Sequence, residues 1–133
     1  MSAMIDDTLL SRLTDSTLLR AAGLIGGEWI DKASSGAIFE IDNPSTGEVV
    51  ARLPDMGADE TLRAINLAYF AQKTWVGYTG KERAEILEAL CRLMIDNVGD
   101  LAAIVTMEMG KPFAEARGEI LYGTSYVEWF AEE

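Results

Sequence analysis

Residues 37–69 read AIFEIDNPSTGEVVARLPDMGADETLRAINLAY, and this stretch decides the fold because its hydrophobic period changes partway along. Residues 37–42 and 48–53 contain short alternations of apolar and polar side chains, which are typical of half-buried strands. Asn43-Pro44-Ser45-Thr46-Gly47 between them is a dense turn signal. The pattern therefore predicts two paired strands, the second of which is stopped by Pro54.

Beyond Gly57 the apolar residues recur three or four positions apart, which predicts an amphipathic helix. A second helix begins at a capping box formed by Thr79 and Glu82. A third runs from near Asp100 to Gly110, and a fourth begins near Pro112 and continues to the last residue. The predicted stripes of the first, second and fourth helices are Leu62, Ile65 and Tyr69; Ala84, Leu87, Cys91, Met94 and Val98; and Ala116, Ile120, Gly123, Val127 and Phe130.

The first part of the chain is predicted to be an arm followed by a tight hairpin. Residues 1–23 form the arm, with a short helix over 16–22 that is closed by Gly23. Gly26-Gly27 joins the two strands of the hairpin, 24–25 and 28–30. The predicted fold class is therefore α/β, with short antiparallel strands followed by about four amphipathic helices. Because the fourth helix has no stop signal, we expect the chain to be a piece of something longer.

The composition excludes several classes of function. The 133 residues contain 22 acidic and 11 basic side chains, no histidine and one cysteine, for a net charge of −11. Such a charge opposes binding to nucleic acid and to anionic membrane surfaces, and neither is an expected partner. The missing histidine removes Ser-His-Asp triads and most zinc sites. We expect a cytoplasmic protein, because the N-terminus is acidic and has no export signal.

The residues themselves form no evident active site. Cys91 lies on a predicted apolar stripe and is expected to be a buried structural thiol. Glu115 and Glu119 are expected to lie on a solvated helix face, where Lys111 offers an ordinary partner for Glu115. The aromatic residues are expected in the core or in an interface: Trp75, Tyr78, Tyr122, Tyr126, Trp129 and Phe130.

Four sequence blocks carry a resemblance to a known family. In order and spacing, they resemble the N-terminal region of the aldehyde dehydrogenase superfamily, and the semialdehyde dehydrogenases that act on succinate or glutarate semialdehyde are most similar. The resemblance covers residues 24–133. The blocks are LIGGEW at 24–29, NPSTGE at 43–48, KERA at 81–84 and TMEMGKP at 106–112.

The resemblance implies an oxidoreductase that converts a semialdehyde to a dicarboxylic acid with NAD or NADP, in a parent protein that forms a homo-oligomer. In that family a Cys thiolate attacks the carbonyl, an Asn side chain helps to stabilise the oxyanion, and a Glu activates water. The matching positions and the cofactor loop lie beyond residue 133. Residues 24–133 are thus expected to be an incomplete part of the dinucleotide-binding domain. The chain alone is expected to bind no cofactor and to have no catalytic residue.

Two further assignments follow from the resemblance. Tyr122 corresponds to a family position near the substrate entrance. Ile41, Asp42 and Glu108 correspond to positions that hold a monovalent cation in some relatives, a hard ion that oxygen ligands suit.

Two alternatives to this reading of the chain remain open. The first is a stand-alone acidic binding or regulatory module that pairs with a full-length dehydrogenase. The second is a truncated product with no function of its own.

Overall fold

A computed structural model describes residues 2–133, and five strands precede the four long helices. β1 (Met4–Ile5), β5 (Val49–Pro54) and β4 (Ile38–Asp42) form a three-stranded antiparallel sheet with β5 in the centre. β2 (Gly23–Ile25) and β3 (Glu28–Ile30) form a separate hairpin. Gly26 and Gly27 at its tip have φ values of 61° and 85°, the left-handed region that favours glycine. Both predicted strand pairs are confirmed.

The second strand of the sheet ends one residue later than the sequence predicts. Pro54 is part of β5 and pairs with Ile38. It is tolerated there because β1 pairs with β5 only at Ala51 and Arg52, so β1 does not need the missing amide of Pro54.

The N-terminal residues are built into the sheet and the core. β1 pairs with β5, and α1 (Asp7–Leu10) follows it with Asp6 as its cap. Among residues 2–133, Leu9 is the one large side chain that is fully buried. The sequence predictions missed both β1 and α1. The helix predicted over 16–22 is wrong, because only Ser16–Leu18 forms a 3₁₀ turn and Gly23 already begins β2.

The four long helices are confirmed, with boundaries close to those predicted. They are α2 (Ala58–Trp75), α3 (Gly80–Asp96), α4 (Val98–Met109) and α5 (Phe113–Glu132). The Thr79–Glu82 capping box starts α3: the Glu82 amide donates to Thr79 Oγ1, and the Thr79 amide donates to Glu82 Oε2. Packing among the helices occurs mainly between α3 and α5 and between α4 and α5. No helix in residues 2–133 has both the length and the apolarity needed to span a membrane.

The core is small for a chain of this length. Leu9, Val50 and Met107 form a buried cluster between α1, β5 and α4, with Ile5 and Ile41 packed against it. The accessible surface is 8904 Å², whereas a compact monomer of this mass is expected to expose about 6,900 Å². Much apolar surface is therefore uncovered.

Some of the predicted apolar stripes are exposed in residues 2–133 for this reason. In α5, Phe130 is 66% exposed, whereas Ala116 and Thr124 are buried. In α2 no residue is buried, and the predicted stripe faces solvent. Phe130 is therefore not a core residue here, Trp75 is half-buried, and their use in an interface stays a prediction.

Candidate functional site

Two of the four family-like blocks meet at one place in the structure. The turn between β4 and β5 contains Asn43, which is 8% exposed. Its side-chain amide points to Met107 near the end of α4, with 3.7 Å between Nδ2 and Sδ. Its Oδ1 accepts the Ser45 amide at 2.9 Å. Asn43 thus fixes the turn and joins it to α4.

The same turn packs against the C-terminal end of α4. Gly110 caps the helix with φ of 71°, and its amide donates to the Thr106 carbonyl at 2.9 Å. A Cβ atom at Gly110 would lie 2.8 Å from Cγ of Pro44. Both the positive φ and the close approach of Pro44 therefore require glycine at this position.

The residues proposed for a monovalent cation flank this junction. Ile41 and Asp42 end β4 immediately before Asn43, and Ile41 packs against the cluster that contains Met107. Glu108 follows Met107 in α4, and burial raises the pKa of its carboxyl group. Within residues 2–133 there is no group of three or more His, Cys, Asp or Glu able to hold a metal ion. The cation assignment to Ile41, Asp42 and Glu108 therefore stays a prediction.

Tyr122 lies on a solvent-facing side of α5 and is paired with Tyr126. Their rings are edge to face, with centroids 5.0 Å apart, and their hydroxyl groups share a hydrogen bond. This hydrogen bond raises the pKa of Tyr126. Tyr122 is 63% exposed and Tyr126 is 51% exposed. The pair is thus accessible on this side of α5, and the assignment of Tyr122 to a substrate entrance stays a prediction.

Cys91 is a packing residue in the described part of the chain. It is 8% exposed in the interface between α3 and α5. Its Sγ lies 3.8 Å from the carbonyl oxygen of Thr124, the distance of a weak S–H hydrogen bond. No histidine exists in the sequence to activate it. The prediction of a buried structural thiol is confirmed.

Lys111 forms its ion pair with Glu119 rather than with Glu115. The expected partner was wrong because Lys111 precedes the helix: Pro112 has ψ of 137°, so the four-residue helical spacing to Glu115 does not apply. Glu115 and Glu119 are both exposed, as expected for a solvated face. They do not form an acid and base pair in a cleft.

The sequence model of the family described as "Aldehyde dehydrogenase family" matches residues 29–133, most of the chain. This chain belongs to the aldehyde dehydrogenase family. The recognition made from the four blocks is confirmed. The Asn43–Met107 and Gly110–Pro44 contacts are therefore contacts between two aldehyde dehydrogenase sequence blocks.

Individual members of the aldehyde dehydrogenase family are similar over nearly the whole chain. Succinate-semialdehyde dehydrogenase [NADP(+)] of Escherichia coli strain K12 is 48% identical over 122 residues, which are 92% of this chain and 25% of that protein. Glutarate-semialdehyde dehydrogenase of Pseudomonas putida has the same identity to this chain, over the same shares of the two proteins. A crystal structure described as an Escherichia coli NADP-dependent enzyme superposes on 90% of this chain, and on 25% of its own length, with a TM-score of 0.88.

The chain spans about a quarter of the length of the aldehyde dehydrogenases it matches. It corresponds to an N-terminal part of those proteins. The fold class, an α/β assembly of short antiparallel strands followed by helices, is confirmed by these structural neighbours.

Sequence reasoning missed the polar residues that hold this aldehyde dehydrogenase segment together. Asp100, which is 8% exposed, accepts the amides of Thr14 and Asp15 at 2.9 and 2.8 Å, and these bonds lower the pKa of its carboxyl group. Glu60 accepts the Ser34 amide at 2.7 Å and the Gly57 amide at 2.9 Å. Of these bonds, only the one from the Gly57 amide to Glu60 could be expected from the sequence, because an acidic residue three positions after a helix cap commonly accepts the amide of the cap.

Proposed function

We propose that this chain is the N-terminal segment of a dehydrogenase that oxidises succinate semialdehyde or glutarate semialdehyde to the dicarboxylic acid with NADP or NAD. The observation that carries the proposal is the 48% identity to two dehydrogenases named for these substrates, extending over 92% of the chain. Both substrates have an aldehyde at one end and a carboxylate at the other, so the parent enzyme recognises a distal anion.

The residues of this chain give structural support to the parent enzyme and include no catalytic group. Aldehyde oxidation by this family's covalent route needs an activated thiolate, donors for the oxyanion and a base for water. The single thiol, Cys91, is buried against Thr124 and has no adjacent base. We therefore propose that the isolated chain is inactive and does not bind the dinucleotide.

Two local roles belong to the same proposal. Tyr122 contributes to the substrate entrance, where its pairing with Tyr126 presents hydroxyl groups at an accessible face of α5. Ile41, Asp42 and Glu108 contribute oxygen atoms to a monovalent cation, with further ligands outside the chain. The junction of the β4–β5 turn with the end of α4 supports this role, because it brings the two parts of the set to one region.

The proposal is tested by a chimera in which this chain replaces the matched quarter of the Escherichia coli enzyme. We expect NADP reduction with succinate semialdehyde. The isolated chain, assayed with both semialdehydes and both dinucleotides, is expected to produce no reduced nicotinamide. A soluble chimera without dehydrogenase activity would contradict the assignment, and turnover by the isolated chain would contradict its inactivity. The nucleotide sequence after codon 133 gives a second test, since it should encode Pro-Trp-Asn and, later, a nucleophilic Cys.

A further inference from the structure

Two helices have apolar residues on a second side that nothing in residues 2–133 covers. α2 contacts the β2–β3 hairpin through Leu67, whose Cδ1 lies so near Gly26 that a Cβ there would be 2.7 Å away. Leu62, Ile65 and Tyr69 lie on another side of α2 and are 58–63% exposed. We name these three residues the α2 stripe.

α5 repeats this pattern with larger side chains. One side, which includes Ala116 and Thr124, is buried, and the helix packs on α3 and α4. Two large residues on the other side are 60–66% exposed, and we name them the α5 stripe: Trp129 and Phe130. A helix with apolar residues on opposite sides is typical of a buried position between two layers, whereas a surface helix has one apolar side.

The amount of uncovered surface indicates a large partner. The accessible surface of 8904 Å² exceeds that of a compact monomer of this mass by about 2,000 Å². One partner in an interface of standard size contributes only about 800 Å². The excess therefore corresponds to the extensive contact found in permanent assemblies.

The comparison with a longer protein identifies that partner. The backbone of this chain superposes with a TM-score of 0.88 on a protein about four times as long. The helices thus have the same arrangement in a molecule whose other three quarters are available to cover them. We infer that the α2 and α5 stripes bind the remainder of a semialdehyde dehydrogenase, tightly enough for the two parts to assemble when they are produced as separate polypeptides. The inference rests on the proposed function.

The experiment is coexpression of the tagged chain with the part of the Escherichia coli succinate-semialdehyde dehydrogenase that follows its matched quarter. We expect the remainder to be soluble and to be captured by the tagged chain in equal amounts. Capture measures only binding between the chain and the remainder. A failure of capture would therefore leave the proposed function standing, because that function is tested by the activity of the chimera. Capture without dehydrogenase activity in the complex would instead count against the proposed function and support the docking.

Variants of the exposed stripes locate the contact. The double variant Trp129→Ser, Phe130→Ser is expected to weaken docking by roughly 30-fold or more, because buried aromatic anchors dominate such interfaces. Leu62→Ser is expected to weaken it less. Arg117→Ser is the matched control: this exposed residue of α5 lies away from the stripe, and docking should be unchanged.

Three results would overturn the inference. The first is a remainder that stays insoluble, or is not captured, in the presence of the wild-type chain. The second is capture that the double variant leaves unchanged. The third is a stoichiometric dimer of the chain alone that the double variant abolishes, which would assign the α5 stripe to a second copy.

Discussion

Gly110 lies directly against Pro44, so that a single added methyl group would stand 2.8 Å from Cγ of the proline ring. The two residues are far apart in sequence and belong to the two blocks that meet at the end of α4. A rigid ring on one side and a left-handed backbone on the other leave this junction little freedom to relax.

The substitution Gly110→Ala is therefore expected to destabilise the chain by about 2 kcal/mol or more, which combines backbone strain of about 1 kcal/mol with the displacement of Pro44. The measurement is the urea midpoint followed by circular dichroism. Gly47→Ala is a matched control, because Gly47 has φ of 74° but open space around its Cβ position. Equal losses in the two variants would show that Pro44 contributes nothing.

Asp100 fixes the N-terminal residues to α4. The variant Asp100→Asn keeps the size of the side chain but loses one charge-assisted bond to the amides of Thr14 and Asp15. We expect a loss of about 1–3 kcal/mol and faster hydrogen exchange at these two amides. Asp59→Asn is the control, since Asp59 is also in the first turn of a helix but is exposed. Unchanged exchange at Thr14 and Asp15 would contradict the role of Asp100.

The sequence was sufficient for the features that depend on local chemistry. Gly26-Gly27 predicted the hairpin, and Thr79 with Glu82 predicted the start of α3, because turns and caps are made by neighbouring residues. β1 was missed because a strand of two residues has no measurable period, and its existence depends on β5 almost fifty residues away.

The candidate site was predicted only in part, for the same reason. The blocks that contain Asn43 and Gly110 were recognised, but the contacts of Asn43 with Met107 and of Gly110 with Pro44 are tertiary. The stripe of α2 was predicted as a pattern, and in residues 2–133 it is exposed. Periodicity identifies an apolar side of a helix, and it does not identify what covers that side.

Burial of Cys91 predicts slow reaction of its thiol with a disulfide reagent in the folded chain and rapid reaction in denaturing urea. The rate should rise together with the loss of helical circular dichroism. Cys91→Ser, in which a hydroxyl group can still donate to the Thr124 carbonyl, serves as the unreactive control for the reagent. Rapid labelling without unfolding would show that the α3–α5 interface opens readily.

The lowered pKa of Glu60 predicts that the stability of the contacts at the start of α2 depends on pH. The Ser34 and Gly57 amides hold the pKa of Glu60 down to about 2 from its usual value near 4.5. Because the folded chain favours the ionised carboxylate, its stabilising effect is fully present above the unfolded pKa, and it is lost as the pH falls from about 4.5 toward 2. Nuclear magnetic resonance should show the Ser34 amide shift following this titration in the wild-type chain, and Glu60→Gln should abolish it. A Ser34 shift in the variant that still titrates over this range would mean that another carboxylate holds the loop, because the glutamine side chain has no charge to lose.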